Sequence, residues 1–385
     1  MEIKKDVLYI GVNDRDLDLF EGQYAVPNGM AYNSYVILDD KIAVMDTVDR
    51  AFKEQWLSKL DNALCGRNPD YLVVQHMEPD HSANILAFTE KYPSAKIVAS
   101  AKAFTMMRNF FRRDFSDKAF VVGENAVLEL GLHRLIFFTA PMVHWPEVIV
   151  TYDTKDKILF SADAFGKFGA NETEDDWACE ARRYYFGVVG KYGVQVQTLL
   201  KKLSYYSIEI ICPLHGPVLR GNIQFYFDLY NTWSSYAVES EGVMIAYTSV
   251  YGNTKEAIEL LAKKLSEYGC SRVVVADLAR ADMSEAVEDA FRHGKLVLAT
   301  TTYNGEIFPY MREFLYHLTE RNFQNRKVAF IENGSWAPMA TRIMSGMLEK
   351  CKNLQYAQTS VKILSSMSEE NKQQIDLLAK EFAQE

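Results

Sequence analysis

Short apolar runs recur through the first 240 residues: VLYIG (7–11), NSYVIL (33–38), KIAVMD (41–46), YLVVQ (71–75), KIVAS (96–100), AFVVG (119–123), RLIFFTA (134–140), EVIVTYD (147–153) and KILFSA (157–162). They are rich in β-branched and aromatic residues, and several are closed by Asp, Gly or Pro, so they read as strands. Helical spacing of apolar positions falls at 50–63, 84–92, 101–113, 190–205 and 222–239. Several strands follow one another before each helix. That rhythm predicts α+β layering, with two packed sheets and helices outside them.

Near residue 241 the rhythm changes to strict alternation. The strands VMIAY (243–247), SRVVVADL (271–278), KLVLAT (295–300), KVAFI (327–331) and SVKIL (360–364) are separated by helical stretches near 254–268, 283–293, 309–321, 336–351 and 368–384. These strands are continuous apolar runs, as expected where both faces are covered. Five strands alternating with helices predict an α/β doubly wound domain with a five-stranded parallel sheet. The polar stretch ESEG (239–242) marks the join, giving domains 1–240 and 241–385.

Composition narrows the function classes. A net charge of −9 and a pI near 5.4 argue against a nucleic-acid binder. No apolar stretch approaches the roughly 20 residues of a membrane span. The start, MEIKKDVLYIG, has no signal-peptide core, so a cytoplasmic protein is expected. The five cysteines are widely spaced with no CxxC, which speaks against a disulfide framework or a zinc ribbon.

Candidate chemistry concentrates in two places. The first is HMEPDH (76–81), which holds His76, Glu78, Asp80 and His81 just after a strand-like run. His144 in HWPE, Asp163 in SADAFG and His215 in LHGP each follow or close another such run, in turn-like contexts. Strand ends can converge at one sheet edge, so these residues could meet. A lone histidine is more often an ordinary hydrogen-bonded residue, as His133, His293 and His317 read here. Seven His, Asp and Glu side chains in matching contexts favour a metal site instead. Four imidazoles and three carboxylates suffice for two centres, and a shared anion would offset the repulsion of two cations. Zinc hydrolases favour His-rich sites. Glu78 stands where such a zinc site would usually have His, and an added anion favours the higher-charge metal, hence iron. Asp80 could instead be an outer partner that orients a histidine.

The second place is TSVYGNT, between a strand and a helix. Ser249, Tyr251, Gly252, Asn253 and Thr254 bring hydroxyls and free amides to a helix N-terminus, which suits a phosphate. A well-capped ordinary helix is the plain alternative. TTTYNGEIFP (300–309) and ENGSWAPMA (332–340) follow the third and fourth strands, at the edge where ligands bind in open α/β sheets.

HxExDH, HWP, SADAFG and LHGP together resemble the metallo-β-lactamase-like diiron domain of the flavodiiron proteins, and the C-terminal loops resemble flavodoxin. The resemblance covers essentially the whole chain. It implies an αββα sandwich followed by a flavodoxin-like domain. It also implies one iron held by His76, Glu78 and His144, a second by Asp80, His81 and His215, and Asp163 bridging them. Whether His81 is a ligand stays open, because the matching histidine is turned away in some relatives. FMN would sit with its phosphate on Ser249, Tyr251, Gly252, Asn253 and Thr254. Thr301, Thr302, Tyr303, Asn304 and Gly305 would line one side of its ring, with Ser335 and Trp336 on the other. The family reduces O2 to water or NO to N2O with electrons from an external donor such as rubredoxin or a reduced deazaflavin. It works as a head-to-tail homodimer or a dimer of dimers. The chain departs from the family pattern in EGQYAVPNGMAYNSYVI (21–37), where many relatives carry a histidine, and in HWPE for the commoner HWPD. Tyr184 and Tyr185 of ARRYY read as core packing, with an approach to the gas pocket as the alternative. The competing readings are a zinc-dependent hydrolase with an appended flavodoxin-like domain, and a flavodoxin-like electron carrier with a docking scaffold.

Overall fold

The computed structural model of the chain describes residues 1–173 and 176–384. It divides into two compact units, Met1–Asn231 and Thr232–Glu385. Among the described residues no helix is long and apolar enough to cross a membrane.

The first unit is built on two sheets. One has seven strands in the order Glu2–Lys4, Val7–Tyr9, Tyr35–Ile37, Ala43–Met45, Tyr71–Val73, Lys96–Ser100 and Ala119–Val122. The other has six, in the order Val127–Glu129, Arg134–Thr139, Ile149–Asp153, Ile158–Phe160, Ile210–Cys212 and Leu219–Arg220. The period of two in the strands decides which core each residue enters. Tyr35, Ile37, Ala43, Met45, Val73 and Val98 face the second sheet and meet Leu135, Phe137, Ile149, Ile158, Phe160 and Ile210. The residues between them, Val36, Val44, Leu72, Ile97 and Ala99, face the other way. They pack with Trp56 and Leu60 of helix Lys53–Leu64, Phe88 of helix Ile85–Lys91 and Met107 of helix Ala101–Phe111. This is the αββα layering expected from the sequence.

The second unit carries parallel strands in the order Val273–Asp277, Ser240–Tyr247, His293–Tyr303 and Lys327–Asn333. The fifth position is shared by Gln355–Tyr356 and Val361–Ile363, both parallel to Lys327–Asn333. One face packs on helices Asn253–Glu267 and Glu369–Ala383 through Ile258, Leu261, Ile375 and Leu378. Its first and third strands flank the point where strand order reverses, which puts their C-terminal loops side by side.

Element limits differ from the sequence expectations where backbone geometry overrules periodicity. The helix expected over 222–239 runs Ile223–Ser234, because Tyr236 turns left-handed at φ 56°. The one expected over 336–351 starts only at Ala340, after Pro338 and a left-handed Ala337. Helix Trp177–Tyr184, continued by a π-turn over Tyr185–Val189, was not expected at all. It buries Arg182 and Arg183 beside Ala181 and Tyr184, so no apolar stripe marks it.

Trp56 anchors the first unit. It is fully buried, lies beside Phe88, and donates its indole N–H to Ser34 Oγ at 3.0 Å. Trp56→Ala is expected to cost about 3–5 kcal/mol in denaturant unfolding of that unit. The exposed Val194→Ala should change it by no more than about 0.5 kcal/mol.

Candidate metal centre and flavin cleft

Strand ends and the loops between strands deliver the candidate ligands of the first unit. His76 and Glu78 follow strand Tyr71–Val73, and the helical turn Pro79–Ser82 carries Asp80 and His81. Pro79 opens that turn at its first position, where no N–H is needed. His144 lies between strands Arg134–Thr139 and Ile149–Asp153, Asp163 follows Ile158–Phe160, and His215 follows Ile210–Cys212.

The seven side chains gather into two touching groups. In the first, Glu78 Oε2 lies 3.2 Å from His76 Nε2 and 3.1 Å from His144 Nε2. In the second, Asp80 Oδ2 lies 3.3 Å from the Nε2 atoms of both His81 and His215, which are 3.0 Å from each other. Asp163 stands between the groups. Its Oδ2 is 3.0 Å from His144 Nε2 and 3.5 Å from His76 Nε2, and its Oδ1 is 3.4 Å from His81 Nε2. His81 is thus turned into the cluster, and Asp80 lies on the inward side of its two histidines.

Outer hydrogen bonds aim the rings. His76 donates from Nδ1 to Glu147 Oε1 at 2.8 Å, and the same oxygen accepts the Met77 N–H at 2.8 Å. His215 donates from Nδ1 to the Ala31 carbonyl at 2.7 Å. With the proton on Nδ1, Nε2 presents its lone pair inward, the tautomer a metal requires. Asp46 holds the loop from behind, accepting the Gln75 N–H at 2.7 Å and the His76 N–H at 3.3 Å. The flanking backbone is strained: Asp46, Ala162 and Phe165 are left-handed at φ 55°, 50° and 65°. Phe20 stacks edge-on to His215 and Trp145 edge-on to His76, with ring centres 5.3 and 5.2 Å apart.

Electrostatics bind the set together. Burial pushes His76 down, yet Asp163, Glu147 and Glu78 outweigh it and hold the imidazole well above the usual value. Burial likewise opposes His144, which Asp163 and Glu78 raise to about 9. For Asp163, burial favours the neutral acid, but His76, His144 and His81 hold its carboxyl well below the usual range. Both oxygens of Asp80 and of Asp163 are buried without a hydrogen-bond donor among the described residues. Carboxylates crowded together in a buried volume, and two inward imidazole nitrogens 3.0 Å apart, are costly unless cations sit among them. The donor set therefore fits a pair of metal ions, which would displace the protons these imidazoles hold.

Some residues of the site escaped the sequence reading. Glu147 and Asp46 serve as outer partners, although each ends or opens an apolar run in the same way as the ligands. Glu21, in the loop that lacks the histidine, has a partly exposed side chain, but its carboxyl lies against Glu78. Desolvation there and the Glu78 charge push it up to about 7. His133 is the hydrogen-bonded core residue expected, with Asp153 Oδ2 at 2.9 Å and Lys155 Nζ at 3.0 Å.

In the second unit, Ser249, Tyr251, Asn253, Thr254, Thr301, Thr302, Tyr303, Ser335 and Trp336 line one cleft. Val250, Asn333, Gly334 and Ser365 complete it. Ser365 was missed because it follows the short fifth strand, which has no aromatic or glycine signal. Gly252, left-handed at φ 95°, shapes the phosphate-type loop without lining the cleft, and Asn304 and Gly305 form the turn beyond Tyr303. Ser249 Oγ accepts the Gly252 and Lys255 N–H groups at 3.2 Å each. Among the described residues no acceptor meets the amides of Tyr251, Asn253 and Thr254 at the start of helix Asn253–Glu267. A phosphate fits these donors and the helix N-terminus. Tyr251 and Trp336 are 92% and 83% exposed, so neither is core packing. Among the described residues no charged side chain lines the cleft.

Comparison with known proteins agrees with both halves. Residues 30–216 match the ODP family beta lactamase model and residues 244–379 a flavodoxin domain model. The anaerobic nitric oxide reductase flavorubredoxin of Vibrio vulnificus is 27% identical over 348 residues, covering 87% of this chain and 70% of that protein. Its Escherichia coli counterpart is 26% identical over 363 residues, covering 90% and 74%. Among solved structures, rubredoxin oxygen:oxidoreductase from Desulfovibrio gigas superposes with a TM-score of 0.92 at 25% identity, covering 100% of this chain and 97% of that one. The flavodiiron protein from Giardia intestinalis gives 0.91 at 24%, covering 99% and 95%. Fold and matches together define a β-lactamase-like domain followed by a flavodoxin domain. The chain belongs to the flavodiiron and flavorubredoxin family of oxidoreductases.

Glu147→Gln removes the charge that holds His76. It is expected to weaken Fe(II) binding by about tenfold in chelator competition, with the fold intact by circular dichroism.

Proposed function

We propose that this chain reduces O2 or NO at a non-haem diiron site, drawing electrons through FMN from an external donor. The observation that carries the reading is Asp163, one carboxylate whose two oxygens divide between two three-residue ligand groups. His76, Glu78 and His144 would hold one iron and Asp80, His81 and His215 the other. Glu78, where a zinc hydrolase site of this layout would usually have His, makes the set richer in anions than such a site. The names of the relatives, a nitric oxide reductase and an oxygen oxidoreductase, support the two substrates.

Bound iron and flavin would supply the redox chemistry: two electrons and two protons turn two NO into N2O and water, and four of each turn O2 into two waters. The protein's part is placement and exclusion. Glu147 and the Ala31 carbonyl fix two imidazoles so that no reorganisation is needed when a ligand arrives. Phe20, Trp145 and Tyr184 wall the rings with apolar surface and keep bulk water away. In the second unit, Ser249 and the free amides of Tyr251, Asn253 and Thr254 would take the FMN phosphate, with Thr301, Thr302, Tyr303, Ser335 and Trp336 around the ring. A rubredoxin-type protein or a reduced deazaflavin would deliver the electrons. A head-to-tail homodimer, or a dimer of dimers, would bring one subunit's flavin to its partner's metal pair.

The test is anaerobic turnover of reduced, iron- and FMN-loaded protein, with O2 and NO supplied separately. Consumption of at least one gas is expected, falling by roughly 100-fold in Asp163→Asn, beyond the loss of a mere outer partner. Iron and FMN both bound, with neither gas consumed, would overturn the assignment. About two zincs per chain with thioester or lactam hydrolysis would replace it with the hydrolase. Separately, Ser249→Ala should raise the FMN Kd by about tenfold in fluorescence titration, the equivalent of one hydrogen bond to a charged group.

A further inference from the structure

Arg326 stands directly before strand Lys327–Asn333 of the second unit, at the end of the sheet where the parallel strands start. The cleft described above lies at the other end. Arg326 is only 2% exposed. Its guanidinium donates to the carbonyls of Tyr236 at 2.8 Å, Gln324 at 3.1 Å, Asn325 at 3.2 Å and Ala237 at 3.1 Å, and also to that of Phe291. Those bonds satisfy N–H groups but bring no negative charge. Its Nε is buried without an acceptor among the described residues. Burial pushes the guanidinium down to about 10, and no carboxylate among the described residues opposes that push. Arg183, about as deeply buried in the first unit, has Glu180 at 2.8 Å. A buried charge without a counter-charge is costly, so Arg326 calls for an anion.

A cavity of about 450 Å3 is built against it. That volume is within the roughly 300–1,000 Å3 of small-molecule sites. The wall also holds Lys295 and Lys327, which are register partners on neighbouring strands. Lys295 Nζ donates to the carbonyls of Phe382 at 2.9 Å and Gln384 at 2.7 Å. Lys327 Nζ meets the Glu381 carbonyl at 3.3 Å and its Oε1 at 3.1 Å. An ammonium has three N–H groups, so each lysine keeps one for a ligand. Among the described residues of the wall Glu241 is the one acid, against three cations, in a chain whose net charge is −9. The side-chain amides of Asn325, Asn353 and Gln355 supply neutral donors and acceptors.

We infer that this cavity binds a phosphorylated small molecule, its phosphate held by Lys295 and Lys327 and its charge balanced by Arg326. Three cations suit a dianion better than a single carboxylate, and lysine and arginine are the usual partners of phosphate. The amides would take the rest of the molecule. The site stands apart from the diiron and flavin reading, because its residues belong to the opposite end of the sheet. Arg326 also holds the Tyr236 and Ala237 carbonyls, just before strand Ser240–Tyr247, so an occupant would steady the segment that enters the unit.

The experiment uses the full chain saturated with FMN, so that the phosphate-type loop at the other end is already filled. Inorganic phosphate and 5′-AMP are titrated separately by calorimetry, at constant ionic strength with chloride as the balancing salt. One phosphate per chain is expected, with 5′-AMP binding more tightly. Lys295→Gln and Lys327→Gln should each weaken both by about tenfold, with circular dichroism unchanged. Ser249→Ala, in the other cleft, should leave both affinities as they are. Heats equal to those of chloride, or equal affinity in both lysine variants, would overturn the inference. Binding of phosphate without 5′-AMP would replace the small molecule with the free ion. If the chain takes up no FMN, the flavin reading fails, and the two lysine variants still decide this site.

Discussion

The first unit is organised around a carboxylate that could not be buried alone. Asp163 is almost wholly shielded from solvent, and its charge is tolerable only because imidazoles from both ligand groups face its two oxygens. Those imidazoles are buried in turn: Glu147 holds His76, and the Ala31 carbonyl holds the neighbouring His215. Asp46 braces the loop that carries His76, accepting the Gln75 and His76 N–H groups. Each layer is there because the one inside it would otherwise be an unpaired buried charge. The left-handed backbone at Asp46, Ala162 and Phe165 is the cost of bringing loops from both sheets to one place, and it is offset by the packed cores below.

The two sites solve opposite electrostatic problems. The metal cradle collects negative charge and lone pairs in a buried volume, and so selects cations. The cleft of the second unit has no charged lining among the described residues and offers amides, hydroxyls and the end of a helix, which suit an anion. The second keeps its aromatic residues exposed, whereas the first encloses its own. Asp163, Glu78, Glu147 and Asp80 hold His76, His81 and His144 above the usual imidazole value, so a metal bound there would have to displace their protons.

Much of this was legible in the chain. β-branched and aromatic runs located nine of the thirteen strands of the two sheets and the alternating second unit, whereas Glu2–Lys4, Val127–Glu129, Ile210–Cys212 and Leu219–Arg220 were not among the expected strands. The seven metal-type residues stood out because each follows or closes an apolar run, where a polar side chain has a reason to be only if something meets it. The pattern failed where geometry acts without periodicity. Helix Trp177–Tyr184 buries arginines and so hides its stripe, and the helices that end or start at Tyr236 and Ala340 are cut by left-handed residues. Ser365 carries no signal beyond its place after a short strand.

The sequence by itself determined the layers, the two-part build and the kinds of side chain that would gather at the strand ends. These follow from local preferences and from which residues avoid water. Tertiary structure alone decided that His81 turns inward rather than away, that Asp80 is among the inward donors, and that Asp163 reaches both groups. It alone revealed Glu147 and the Ala31 carbonyl as the partners that set the tautomers of His76 and His215. Each of these is a distance of a few ångströms between residues far apart along the chain. Such distances come from packing two sheets against each other, and no local pattern encodes them.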